Sequence, residues 1–308
     1  MLSRVDDWVW DSWFAVDGDT LHAFTLTAPR ALGDPELRHI NARIGHSVSL
    51  DGISWTHLED ALGPTGTDSF DGQATWTGCV VHVEDQWHMF YTGINKQNRE
   101  REQAIGHAVS TDLLNWKRVS VTASARATDA YALLGNQHDG SEHFRDPWVF
   151  RYDNAWHMLV TASDPASWGT IGHATSDNLV DWTVGSPLVS DSGFRQLEVT
   201  QTICIDGKWI LIFCAAERDV LRDDVVAGWG TYCAPADGPV GPFHLDKAEL
   251  FAPNIYAARA VSFRNEWVLL GFLSDGTESG FEGAISDPVP MRVNDRGLLE
   301  IDPQQSRG

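Results

Sequence analysis

Residues 44–49 read IGHSVS, residues 105–110 IGHAVS and residues 171–176 IGHATS, and weaker copies follow as GTYCAP at 230 and GAISDP at 283. The offsets between successive copies are 61, 66, 59 and 53 residues. A second series runs ahead of the first: LHAFTLTAP from 21, WHMFYTGIN from 87, WHMLVTAS from 156, WILIFCAAE from 209 and WVLLGFLSD from 267. Self-similarity at a fixed long period marks a repeat architecture, in which each unit buries its apolar face against its neighbours.

Most members of the second series are short aromatic and β-branched runs behind a turn such as VDGD, VEDQ, YDNA, IDGK or FRNE, which reads as a hairpin. The first three copies continue through a polar turn into a tryptophan strand, as in SLDGISWTHL, STDLLNWKRV and SDNLVDWTVG. Each unit therefore holds about four short antiparallel strands, the content of one propeller blade. No long helical period competes with them. The expectation is an all-β fold: one five-bladed β-propeller domain over residues 1–303, with 304–308 as a flexible tail. A β-sandwich would not require the repeat. His46, His107 and His173 recur at one blade position, which favours a structural role over metal binding. Trp55, Trp116 and Trp182 recur likewise and are assigned to packing between blades. The polar inserts at 62–78 and 122–144 are expected to ring one mouth of the central channel.

With 43 acidic against 22 basic side chains the formal charge is -21, which repels nucleic acid phosphates and anionic lipid surfaces. No stretch approaches the ~18 apolar residues of a membrane span, and the start MLSRVDDWVWDSWF has no signal-peptide core, so the chain reads as cytoplasmic. Cys79, Cys204, Cys214 and Cys233 form no C-x-x-C pair and are expected to be buried reduced thiols. No metal-ligand spacing stands out and no metal or cofactor is expected to be required, while a calcium or chloride ion in the propeller channel is left open.

Three acids interrupt aromatic or apolar stretches, where a charge is costly unless paired or functional. Asp11 lies in WVWDSWF, Asp146 in HFRDPWVF and Glu198 in FRQLEVTQTICI. Each precedes its hairpin by a similar interval: 10 residues from Asp11 to Leu21, 10 from Asp146 to Trp156 and 11 from Glu198 to Trp209. Equivalent inner-strand positions of a propeller point to one axis, so the three should converge. Glycoside hydrolysis needs such carboxyl groups, one to protonate the departing oxygen and another to attack carbon or activate water. Structural roles stand beside this: Asp146 pairing Arg145 or capping the turn before Pro147, Asp11 as a turn residue, Glu198 pairing Arg195 or Arg218.

These segments resemble the furanosidase propellers, closest to glycoside hydrolase family 32 and related to families 43, 62 and 68. LHAFTLTAP followed by IGHSVSLDGISWTHLEDAL resembles the first blade of family 32, FRDPWVF carries its Arg-Asp-Pro motif, ATWTGCVV resembles its sugar-binding segment, and Glu198 in QLEVTQ stands at its Glu-Cys-Pro. The resemblance implies Asp11 as nucleophile, Asp146 as the carboxylate holding sugar hydroxyls, and Glu198 as general acid and base. It implies that Arg145, Trp13, Trp76 and Thr77 line the first subsite. It also implies that Asp11 stays ionised while burial and neighbouring acids raise the Glu198 carboxyl. WDSWF lacks the family's Asn-Asp-Pro-Asn-Gly run, Leu26 replaces an amide side chain, Val199 replaces the cysteine, and the family's C-terminal β-sandwich is not represented in the sequence.

The expected activity is a retaining β-fructofuranosidase acting on sucrose or short fructo-oligosaccharides, with a small carbohydrate as partner. An inverting arabinofuranosidase and a fructosyltransferase share the same trio. A non-catalytic propeller would instead stack sugars on Trp10, Trp13, Trp76 and Trp168.

Overall fold

The computed structural model describes residues 1–274 and 280–301, and it is a ring of five antiparallel sheets. Blade one is built of Asp7–Asp17, Thr20–Pro29, Arg43–Ser49 and Thr56–His57. Blade two runs through Ala74–Val83, Gln86–Asn95 and Arg99–Ser110, with Lys117–Arg118 and Ala125–Arg126 on its outer edge. Blade three holds Phe144–Tyr152, Ala155–Ser163, Gly169–Ser176 and Thr183–Val184. Blade four holds Glu198–Ile205, Lys208–Ala215, Gly230–Ala236 and Glu249–Pro253. Blade five holds Ile255–Phe263, Glu266–Ser274 and Phe281–Ile285, and its edge is covered by Leu2–Ser3 from the start of the chain. The second repeat series forms the second strand of every blade and the IGH series the third. The tail expected at 304–308 lies outside the described residues.

Inner strands of successive blades touch one another, and that of blade five touches that of blade one, so the ring closes around a channel. Between blades the contact is aromatic: Phe24 of blade one meets Trp116 of blade two edge-on at 5.7 Å, and Phe90 of blade two meets Trp182 of blade three at 5.4 Å. Both phenylalanines are fully buried, each contributing about 2–3 kcal/mol by burial. On each, the recurring histidine stacks, His46 on Phe24 at 4.5 Å and His107 on Phe90 at 4.4 Å. Each recurring histidine also shares a hydrogen bond with a histidine of the neighbouring strand: His22 with His46, His88 with His107 and His157 with His173, at 2.9 to 3.0 Å. Their role is therefore packing and pairing.

The inner strand of every blade carries a β-bulge at the same place. Register shifts fall between Trp10 and Ser12, Trp76 and Gly78, Arg145 and Trp148, Glu198 and Gln201, and Tyr256 and Arg259. Each puts one extra residue on the inner strand, which re-aims the side chains around it. At four of the five the backbone is left-handed: Asp11 (φ 27), Asp146 (φ 58), Val199 (φ 53) and Ala257 (φ 47). Such angles are strained for residues other than glycine and gather at functional sites. In blade two the bulge needs Gly78, where a Cβ would stand 2.2 Å from the Phe90 carbonyl oxygen.

Three of the cysteines are buried and none is paired, whereas Cys204 is exposed, contrary to the reading of all four as buried. It sits in the inner strand of blade four with its side chain at a channel mouth. Among the described residues no helix is long and apolar enough to cross a membrane.

Candidate active site

Counting back from the first residue of each second-series run organises the channel into rings. Eleven places back stand Trp10, Trp76, Arg145, Glu198 and Tyr256, and ten places back Asp11, Thr77, Asp146, Val199 and Ala257. The first five and the first four of the second set line one cavity of about 430 Å³ at a channel mouth. The three acids do converge, but not from one equivalent position: Glu198 lies one place earlier than Asp11 and Asp146, and Val199 is the bulged residue of blade four.

Arg145 holds the centre together. Its Nε lies 3.3 Å from Asp146 Oδ2, while an NH2 hydrogen bond reaches Glu198 Oε1 and another reaches Gln196. Its other terminal nitrogen donates to His143 Nδ1 at 2.6 Å and to Gln103 at 3.3 Å. Glu198 therefore pairs with Arg145, neither with Arg195, which donates to the Arg218 carbonyl, nor with Arg218. Asp146 also accepts from the Thr161 hydroxyl at 2.8 Å and from the Val199 amide at 3.3 Å. The bulge of blade four thus supplies a donor to the acid of blade three. Asp11 accepts from the Thr77 hydroxyl, which occupies its own ring position in blade two.

The electrostatics reverse one expectation. The Asp11 carboxyl is pushed up to about 7, chiefly by burial, then by the Asp146 charge, against the Thr77 hydroxyl. Burial opposes ionisation of Glu198 too, yet Arg145 and the Tyr256 hydroxyl outweigh it and hold this carboxyl below its usual range. Below about pH 7 the surroundings therefore favour the proton on Asp11 and the charge on Glu198, because the cations and donors cluster on the Glu198 side. Burial raises the Asp146 carboxyl, with Arg145 opposing.

Of the residues expected to line the first subsite, Arg145, Trp76 and Thr77 face the cavity and Trp13 does not. Trp13 is fully buried, stacked on Phe24 at 6.2 Å, because it falls two residues past the bulge and faces the other end of the channel. Trp10 stands in its place. Trp168 also lies away from the cavity, beneath the Arg195 guanidinium at 4.2 Å.

Of the inserts at 62–78 and 122–144, only Trp76, Thr77, Ser141 and His143 reach the cavity. Asp71 is instead buried under Arg118 and Tyr91. A short 3-10 helix, Pro35–Asn41, walls the cavity with Glu36, Arg38 and His39. Its signal was the Asp-Pro-Glu start, where the Asp34 side chain caps the Glu36 amide at 3.0 Å. Tyr256, stacked on Trp229 at 4.4 Å, was reachable by extending the count to the fifth blade. Among the described residues no group of three or more His, Cys, Asp or Glu side chains is arranged to hold a metal ion.

The sequence matches the profile of the glycosyl hydrolases family 32 N-terminal domain over residues 35–229, more than half of its length. The chain belongs to glycoside hydrolase family 32. A sucrose-6-phosphate hydrolase of Bacillus subtilis is 32% identical over 155 residues, 50% of this chain and 29% of that protein. One from Zymomonas mobilis is 30% identical over 156 residues, 48% of this chain and 28% of that protein. The family-32 chain thus matches less than a third of the length of these relatives. Among solved structures, the inulosucrase from Halalkalicoccus jeotgali bound to kestose superposes with a TM-score of 0.77 at 20% identity, covering 97% of this chain and 87% of the other. A Bombyx mori family-32 beta-fructofuranosidase mutant in complex with sucrose gives 0.76 at 17% identity, covering 99% and 64%. Both share the propeller fold.

Proposed function

We propose that this family-32 chain is a retaining β-fructofuranosidase that cleaves sucrose or a short fructo-oligosaccharide. The observation that carries the reading is the meeting, in one cavity, of Asp11, Asp146 and Glu198 from three blades, with Arg145 bridging the latter two. A proton passes from Glu198 to the bridging oxygen as the bond to the fructosyl anomeric carbon breaks, and an Asp11 oxygen forms a bond to that carbon. Water then gives its proton to Glu198 and its oxygen to the same carbon, releasing Asp11. Asp146 and Arg145 hold sugar hydroxyls.

The chemistry needs the proton on Glu198 and the charge on Asp11, the inverse of the order that the neighbouring groups favour. Sugar hydroxyls that draw Arg145 away from Glu198 leave burial as the dominant influence on that carboxyl and raise it. Positive charge developing at the anomeric carbon favours ionised Asp11. Binding and proton transfer are in this way coupled.

The cavity wall also speaks to the substrate's charge. It carries five carboxyl groups, on Asp11, Glu36, Asp146, Glu198 and Asp219, against three guanidinium groups, on Arg38, Arg145 and Arg218. That balance suits a neutral sugar better than a phosphorylated one. The unpaired cysteines suit a reducing compartment, and a cytoplasmic site of action belongs to the proposal.

The test is sugar release from sucrose, sucrose 6-phosphate, inulin-type and levan-type oligosaccharides and an aryl arabinofuranoside, with Asp11→Asn as control. The first anomer of the product is followed by NMR. Release of fructose with retained configuration, abolished in the variant, is the expected result. Arabinose release with inversion would replace the fructosidase reading, and binding without turnover would remove the enzyme reading.

A further inference from the structure

Eight places back from each second-series run stands a third ring: Trp13, Cys79, Trp148, Gln201 and Arg259. All five line a second cavity of about 360 Å³, separate from the carboxylate cavity and built from inner-strand residues past the bulges. Arg259 is only 2% exposed and has no carboxylate partner among the described residues. Its terminal nitrogens donate to the carbonyls of Thr200 at 2.6 Å and Val199 at 3.2 Å, and its Nε has no acceptor. The indole N–H groups of Trp13 and Trp148 in the same ring are also buried without acceptors, and the Trp148 ring lies 5.2 Å from the Arg259 guanidinium. Gln201 offers nothing, because its amide is spent in two 2.8 Å bonds to the Ala260 backbone.

Three buried donors in one ring, each without a hydrogen-bond partner, are costly unless a ligand accepts from them. Indole and guanidinium groups only donate, so the partner they fit is one that only accepts. The charge of the wall agrees. In a chain of formal charge -21, the charged residues lining this cavity are Arg151 and Arg259, both cationic. The remaining wall is uncharged and includes the rings of Phe14, Phe150 and Trp267.

We propose that this cavity is a binding site for a singly charged anion, seated among Trp13 Nε1, Trp148 Nε1 and Arg259 Nε. The chemistry is shared by a halide and by a small carboxylate with an apolar body. The test titrates the purified protein with chloride and with benzoate at constant ionic strength, held with gluconate, reading tryptophan fluorescence and Tm. Trp148→Phe and Trp13→Phe each keep a ring in the wall and remove one N–H, and Trp116→Phe, between blades, serves as control. Saturable binding by the wild type and the control, weakened about tenfold in the first two variants, is the expected result. Benzoate binding much tighter than chloride assigns the site to carboxylates, and comparable binding assigns it to halides. Absence of saturable binding by both anions, or equal affinity in wild type and Trp148→Phe, overturns the proposal.

Discussion

Asp11 is placed where a carboxylate is useful and uncomfortable at once. Its carboxyl is raised by burial and by Asp146 to about 7, so the folded state binds a proton there that the unfolded chain has lost above its ordinary carboxylate value. Stability from this residue is therefore present at low pH and lost as pH rises from about 4 to 7. Asp11→Asn, which cannot ionise, is expected to be more stable than the wild type at pH 8 by on the order of 2–4 kcal/mol, and no more stable at pH 4. Urea unfolding at the two pH values checks this, and an equal effect at both would remove the strain assigned to the charge. Tyr256 acts in the opposite direction, donating to Glu198 and helping to keep it ionised. With Glu198 below and Asp11 above, the acidic limb of kcat/KM belongs to the lower value and the alkaline limb to the higher. Tyr256→Phe removes a donor to the charged form, so the acidic limb should move up by about one pH unit. A limb that stays in place would mean that Arg145 alone sets this carboxyl. The identities of the acids were legible in the sequence because each interrupts an apolar strand. Their protonation order was not, because it depends on Arg145, Thr77 and Tyr256 meeting them from other blades.

At the scale of the strand, one device is repeated five times: an inner strand that starts at the mouth, bulges once and then descends the channel. The residues before the bulge, and those at it in blades one to four, face the carboxylate cavity, and those two places past it face the second cavity. Constant intervals to the hairpin made the bulged position visible in the sequence, whereas the bulge itself was not. An extra residue changes which side chains face the channel without changing composition, and this is why Trp13 was expected at the sugar and lies below it. Arg259 ties these bulges together, reaching the carbonyls of Val199 and Thr200 in blade four and that of Pro147 in blade three at 3.4 Å. The second and third strands carry a different repeated device, the histidine pairs that join them. Burial pushes His46 and His107 down to about 3 and His173 to about 4, with the partner histidine adding to it. A histidine depressed in the folded state contributes stability above its unfolded value of about 6.5 that is lost as pH falls. Between pH 7 and 5 unfolding should thus take up protons at these three histidines and at the others that burial depresses, His39 at about 4 among them, with about one proton of opposite sign at Asp11. Unfolding free energies measured across that range should fall with decreasing pH, and the fall should shrink when His107 is replaced by Gln.

At the scale of the molecule, the five-fold repeat was legible because blades pack by a fixed pattern: Phe24 on Trp116, then Phe90 on Trp182, each pair set by the same spacing. Closure was not legible, since Leu2–Ser3 has no repeat partner and its pairing spans the whole chain, with Leu2 opposite Ile285 and Ser3 opposite Ala284. That pairing adds a backbone clasp to the contact between the inner strands. Without it blade five would present an open edge along Phe281–Ile285, and the inner strands of blades five and one would be held together by side chains alone. Leu2 is fully buried in the largest core cluster, with Trp8, Val9 and Ile285. A frayed end would tolerate its truncation. A closing strand would not, and Leu2→Ala should cost about 2–4 kcal/mol, within the range for a buried leucine. The same variant should speed hydrogen exchange in Phe281–Ile285 more than in the strands of blade three, which lies across the ring. A loss below ~0.5 kcal/mol with uniform exchange would show that the ring is closed by its inner strands and not by this clasp.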